Sequence, residues 1–205
     1  ADIIVFITQD VVIENNDWLY KLVISIITGE AQATYSRQLT KFNNIEKYTR
    51  ESNYPSNSFI RTKYDISKYG LKTFFFSDAS SAISAKVFKE LNYYDGNNLT
   101  ISEDMYIAYK LIMNGYKIKY CADSVVYHSH NFTLKELYER YKLTGMFFKE
   151  YNYIDKFGTN SSGTGLAKYI LKRAIQDKNF KVLFRFVPDM TARFLGMKIG
   201  KMKKS

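Results

Sequence analysis

The sequence predicts an α/β fold that ends in a helical, basic C-terminal tail. Three observations carry this. Residues 2–10 form a continuous apolar run that closes on polar residues, the mark of a central parallel strand with a functional carboxyl end. Segments of strand type and segments of helical periodicity then succeed one another to about residue 150. Beyond residue 166, aromatic and aliphatic residues mix with Lys and Arg, the pattern of an interfacial amphipathic helix or of a solvated basic tail.

Taken in order, the first run places Asp10 where α/β folds hold ligands, although an acid there also simply turns a chain. Asn16 and Asp17 offer an N-cap, and Trp18, Leu19, Leu22, Val23 and Ile26 make an amphipathic stripe that stops at Gly29. Residues 31–35 read as a short strand, followed by Ser36, Arg37 and Gln38. Residues 40–70 are polar and Asn-rich, with a weak helical signal at 44–51 and a turn at 53–57. A span of that kind reads as a functional loop or lid. Residues 73–77 read as a buried strand that opens into Asp78 and a run of small residues, where a ligand could approach backbone.

Residues 85–91 read as a helix and 94–97 as a turn. Residues 99–116 read as a helix with Thr100 as N-cap and Glu103 completing a capping box. Ile107, Ala108, Leu111 and Ile112 lie on its buried face, and Asn114 and Gly115 end it. Capping needs one acid. Asp104 is then a spare carboxylate on a rigid helix start, able to take a proton from a bound hydroxyl; both acids also complement the helix dipole. Residues 116–120 and 124–130 read as strands, and alternation sets Val126, His128 and His130 on one face. Two imidazoles there could ligate a metal or bind phosphate, while either alone also reads as a hydrogen-bonded structural residue. Thr133 and Glu136 form a second capping box, opening a long helix with a stripe of Leu134, Leu137, Tyr138, Tyr141 and Phe148.

The expected organisation is a body at residues 1–158, a Ser/Gly-rich linker at 159–165 and a basic tail at 166–205. The tail holds 11 Lys or Arg against Asp177 and Asp189, so nearly all of the net charge of +10 belongs to it. That asymmetry points to an anionic partner, a membrane surface or a nucleic acid. No nucleic-acid-binding pattern accompanies it, and none is expected as partner. Among 205 residues there is one cysteine, so no internal disulfide can form, which suits a reducing compartment. No apolar run reaches the ~18–20 residues needed to span a bilayer, and the start lacks the basic flank of a signal peptide. A cytoplasmic protein, peripheral on the inner face of the cell membrane, is expected. The chain begins without Met directly at a strand-type run, so its natural N-terminus is expected upstream.

The segments at 2–10 (closing on Thr8, Gln9 and Asp10), 17–19, 35–38, 53–55, 76–78, 103–105 and 127–131, in this order and spacing, resemble the family 2 glycosyltransferases of the GT-A fold. Among these they resemble bacterial rhamnosyltransferases that build cell-surface polysaccharides. The resemblance covers residues 2 to about 150 and implies the C-terminal portion of a Rossmann-like nucleotide-diphospho-sugar transferase. It implies that Asp10 binds a divalent metal, Mg²⁺ or Mn²⁺, with one of the histidines completing the metal or diphosphate site, His128 ahead of His130. Asp104 would be the catalytic base with Glu103 beside it. Thr8, Gln9, Arg37, Gln38 and Asp78 would contact donor or acceptor. The implied reaction is an inverting transfer, in which one carboxylate deprotonates an acceptor hydroxyl and a cation stabilises the leaving diphosphate. The implied donor is dTDP-L-rhamnose and the implied acceptor a lipid-linked or cell-surface glycan.

Members of that family open with a βαβ half that carries the nucleoside pocket, and no such segment precedes the Thr-Gln-Asp run here. The chain is therefore expected to be a fragment of a longer enzyme, with a sheet edge left exposed. The competing expectation is a catalytically incomplete piece that binds a membrane or a protein partner through its tail.

Overall fold

A computed structural model describes residues 1–202, apart from the side chains of residues 159–161. Lys203 and Lys204 of the basic tail lie outside the described residues. In chain order the elements are β1 (Ile3–Ile7), β2 (Val12–Ile13), α1 (Trp18–Ile27), β3 (Ala33–Leu39), α2 (Ile45–Asn53), β4 (Phe59–Arg61), α3 (Ile66–Tyr69), β5 (Ser80–Ser84), α4 (Ala85–Glu90), α5 (Glu103–Met113), β6 (Ile118–Tyr127), α6 (Leu134–Glu150), α7 (Asn152–Asp155), α8 (Thr159–Gln176) and α9 (Phe180–Met202). The α/β expectation holds. The chain forms two compact units. One comprises Ala1–Thr40, Tyr54–Leu99 and Glu103–Ser129; the other comprises Lys41–Asn53, Thr100–Ser102 and His130–Ser205.

The first unit holds the sheet, in the order β1-β5-β3-β6-β2, with β4 also on β6. Only β3 and β6 run parallel; the other pairings are antiparallel. β1 is therefore not the central parallel strand its apolar run suggested. It pairs with β5 alone among the described residues, and Val5 and Ile7 stay 37% and 47% exposed. The run is apolar because both of its faces find partners: Ile3 packs on the Trp18 cluster, and Phe6 meets the Phe88 ring edge-on at 5.9 Å. Burial of this kind reads the same at an edge as at a centre.

Trp18 organises the middle of the sheet. Its indole N–H donates to Ser80 Oγ at 3.0 Å and Ser36 Oγ at 3.2 Å, and Ser36 Oγ is 2.9 Å from Ser124 Oγ. A buried indole needs such a partner, and the small residues of β5 leave it room. Asp17 stands at the N-cap position of α1 without a capping bond; its carboxylate pairs with Lys21 at 2.7 Å instead.

Several expectations need correction here. Residues 73–77 form no strand: Gly70–Phe74 is a 3-10 turn, and Phe74 and Phe76 are buried by rings, Phe76 against Tyr35 at 5.6 Å. Residues 40–70 are not one long loop, since α2, β4 and α3 lie within them. The two strands expected at 116–130 are one, β6. A register shift opposite Ser36 and Arg37, where the partner passes from Cys121 to Val125, explains why the pattern looked interrupted. α5 starts at Glu103, with Ser102 before it at φ 61°, so Thr100 does not cap it and both acids sit in its first turn.

In the second unit, the Thr133–Glu136 capping box forms as expected: Thr133 N–H donates to Glu136 Oε2 at 2.8 Å, and Glu136 N–H to Thr133 Oγ1 at 3.3 Å. Ile45 and Tyr48 of α2 pack with Ile170 and Ala174 of α8 and Val182 of α9. The stretch expected as a linker, 159–165, is the start of α8. Gly163 and Gly165 face open space, so nothing opposes the helix there, and burial of Ile170 and Ala174 favours it over local propensity. The last helix runs through Pro188, and the break between α8 and α9 falls at Lys178, with φ 51°.

Candidate active site

Two groups of polar side chains gather in the first unit. The first begins where β1 ends. Thr8 N–H donates to the Ala79 carbonyl at 3.3 Å, and Val11 N–H returns to the Thr8 carbonyl at 3.2 Å, closing a turn that holds Gln9 and Asp10. β2 then pairs with the end of β6, Val12 opposite Tyr127. Continued outward, that register brings Asp10 to the residues just past β6, and Asp10 Oδ2 lies 3.3 Å from His128 Nε2.

β3 lies on the other side of β6, with Gln38 opposite Val126, and His128 N–H extends the ladder by donating to the Leu39 carbonyl at 3.0 Å. Gln38 is fully buried. Its Oε1 lies 2.9 Å from His128 Nδ1, and its Nε2 donates to Ser77 Oγ at 2.8 Å. With the amide nitrogen committed to Ser77, the amide oxygen accepts from Nδ1–H. A neutral His128 then turns the Nε2 lone pair toward the Asp10 carboxylate. Two acceptors that face each other at 3.3 Å require positive charge, either a proton on Nε2 or a shared cation. A metal-ligating histidine has this arrangement, its second ring nitrogen fixed by an acceptor behind it. Asp10 and His128 offer a carboxylate and an imidazole, donors compatible with a divalent metal; His130 is the first residue of the second unit's last segment.

The second group lines a cleft of ≈ 410 Å³ whose walls include Thr8, Asp78, Tyr94, Asn97 and Glu103. Asp78 accepts from Ser81 Oγ at 3.1 Å and from Tyr94 Oη at 3.2 Å. Burial pushes its carboxyl up to about 6 despite those two bonds, and the Glu103 charge adds to the rise. Burial also raises the Tyr94 hydroxyl well above its ordinary range, helped by Asp78, Glu103 and Asp104. Both acids of α5 are thus within electrostatic reach of this hydroxyl. Glu103 forms the cleft wall; Asp104 Oδ1 accepts the Met105 N–H at 2.7 Å.

The structure therefore brings Thr8, Asp78 and Glu103 into one cleft and joins Asp10 to His128 through the turn that follows Thr8. Gln9 is exposed in that turn. Arg37 and Gln38 stand on β3, which continues to Leu39. Gln38 orients His128 from behind. The Nε of Arg37 is buried without a hydrogen-bond partner among the described residues. Two participants were not foreseen, Ser77 behind Gln38 and Tyr94 on Asp78. Both work across long stretches of chain, and no local pattern marks them.

A mixed α/β framework with carboxylates and imidazoles gathered at strand ends is consistent with an α/β glycosyltransferase. Comparison with known proteins narrows the class to rhamnosyltransferase-like sequences. The chain is 36% identical, over 98% of its length, to the O-antigen chain rhamnosyltransferase RfbN of Salmonella typhimurium. It is 33% identical, again over 98% of its length, to the O-antigen chain rhamnosyltransferase WbaN of Salmonella anatum. It spans 65% and 64% of those relatives' own lengths, a little under two thirds. No family model matches the chain.

Proposed function

We propose that this chain supplies the metal-binding and base-bearing part of an inverting glycosyltransferase of the GT-A fold, which passes L-rhamnose from dTDP-L-rhamnose to a lipid-linked or cell-surface polysaccharide. The likeness to two rhamnosyltransferases supports the class of reaction and sugar. The observation that carries the reading is the His128 ring, held by Gln38 so that Nε2 faces Asp10.

Asp10 and His128 would hold Mg²⁺ or Mn²⁺, which when bound offsets the negative charge that develops on a departing diphosphate. Gln38 keeps the His128 tautomer that makes this possible. Thr8, Gln9 and Asp78 meet the donor at the end of β1. Asp78, with a carboxyl that takes up a proton near neutral pH, can donate to a sugar or phosphate oxygen. Asp104 removes the proton from the attacking acceptor hydroxyl. Its Oδ1 accepts the Met105 N–H, which holds the carboxylate in place. Glu103 stands beside it on the cleft wall. A single carboxylate that acts on the acceptor suits a one-step displacement with inversion, whereas retention would need a second carboxylate as nucleophile.

Calorimetric titration with Mn²⁺ tests the metal assignment. Asp10→Ala and His128→Ala should abolish binding, and Gln38→Leu should weaken it by about 10–100-fold, each with an unchanged circular dichroism spectrum. In the enzyme extended to its relatives' length, Asp104→Asn should slow rhamnosyl transfer by about 10²-fold or more. Glu103→Gln should retain most of the activity. Normal transfer by both Asp10→Ala and Asp104→Asn would overturn the proposal.

A further inference from the structure

α9 is turned inside out relative to an ordinary surface helix. Its buried side holds a charge pair, Asp189 with Arg193 at 2.5 Å, the latter also donating to Tyr141 Oη at 2.6 Å. On the same side Gly196 and Gly200 lie so close to α6 that an added Cβ would strike the carbonyls of Tyr138 and Lys142. The outer side holds the large apolar residues. Phe184 is 84% exposed, Phe180, Val187 and Met202 are each 66% exposed, and Phe194 is 64% exposed. The positions 180, 184, 187, 194, 198 and 202 are spaced by one helical turn or two and so share one face. That stripe runs about 33 Å along the helix at 1.5 Å per residue. Exposed Leu171 and Ile175 of α8 add to the unit's outward apolar surface.

The charges around these residues have one sign. Lys198 stands within the stripe, and exposed Lys181 and Arg185 stand at its edge. Lys168, Lys172 and Lys178 are exposed on α8 and on the turn after it. The only acids between residues 166 and 202, Asp177 and Asp189, are engaged in ion pairs within the unit. A row of aromatic side chains bordered by lysines suits a helix that lies in a bilayer interface, with rings among the acyl chains and ammonium groups at anionic headgroups. Among the described residues, no helix is long and apolar enough to cross a membrane. A second copy of the chain would set like charges against each other, which disfavours that occupant.

We infer that the outward face of α9, with the exposed residues of α8, docks on the surface of an anionic lipid bilayer. This goes beyond the proposed transfer reaction, and its test needs no catalysis. The 205-residue chain is mixed with phosphatidylcholine vesicles, with or without phosphatidylglycerol, and sedimented at low and high salt. It should bind the phosphatidylglycerol vesicles, lose most binding in high salt, and bind phosphatidylcholine alone weakly. Phe184→Glu with Phe194→Glu should lower the partition coefficient by about tenfold or more. Lys181→Gln with Lys198→Gln should lower it by about 25-fold, each charge counting for roughly fivefold. Thermal melts of both doubles should match the parent, because these side chains are exposed. Tyr64→Glu, at an exposed aromatic of the first unit, should leave binding unchanged. Equal binding to both vesicle types, or binding indifferent to the two Phe substitutions, would overturn the inference. So would no vesicle binding together with self-association that Phe184→Glu abolishes, which would make a second copy the occupant.

Discussion

His128 and Asp78 owe their chemistry to neighbours far along the chain. His128 is defined by Gln38 and Asp10, and Asp78 by Tyr94 and Ser81. For Asp78 the consequence is a pH dependence of stability. An unfolded aspartate titrates near 3.8, and the folded Asp78 near about 6. Between those values the folded chain holds a proton that the unfolded chain does not. Ionised Asp78 therefore opposes folding above pH 6, and that penalty fades as pH falls from 6 toward 4. Asp78→Asn should be more stable than the parent by about 1–3 kcal/mol at pH 7, with the difference vanishing near pH 4. Urea unfolding at the two pH values measures it. At this scale the sequence marked the acids and imidazoles themselves, because their residue types and positions at element ends are visible locally. It did not mark Gln38 as a support for His128, because that pairing exists only once β3 and β6 lie side by side.

Among the elements, α1, α6 and the body of α5 were legible from their apolar stripes and from the Thr133 capping box. The departures share one cause. Where composition suggested a buried strand or a flexible link, tertiary packing set a different conformation. Residues 73–77 are buried by rings rather than by a ladder, and residues 159–165 join α8 because its later turns, at Ile170 and Ala174, pack against α2. The pairing of α6 with α9 gives a sharp test. Gly145, Gly196 and Gly200 allow backbone to approach backbone, and a Cβ on Gly200 would meet the Lys142 carbonyl and the backbone of Gly145 and Met146. Gly200→Ala should destabilise the chain by about 1–3 kcal/mol through overpacking, read as a lowered thermal midpoint. Gly163→Ala, where a Cβ meets nothing within 4 Å, should leave the midpoint unchanged or raise it slightly.

For the whole molecule, two properties depend on where residues end up rather than on what they are. The basic charge belongs almost entirely to residues 166–205. The edge of the sheet at β1 carries no further strand among the described residues, with Val5 and Ile7 exposed. Such an edge is a template for pairing with another chain. Sedimentation should show concentration-dependent association, and Val5→Lys should reduce it while changing stability by less than about 1 kcal/mol. Association unaffected by this substitution would place the contact elsewhere.

The sequence by itself determined that strands and helices alternate, that charge collects at the C-terminal end, and that carboxylates and histidines stand at element ends. Those properties depend on residue type and on spacings of a few residues. Only the tertiary structure decided that β1 lies at an edge, that Gln38 orients His128 toward Asp10, that Tyr94 caps Asp78, and that α9 turns its phenylalanines outward. Each of these depends on contacts between residues many positions apart, and on which face of an apolar segment the packing buries, which periodicity leaves open.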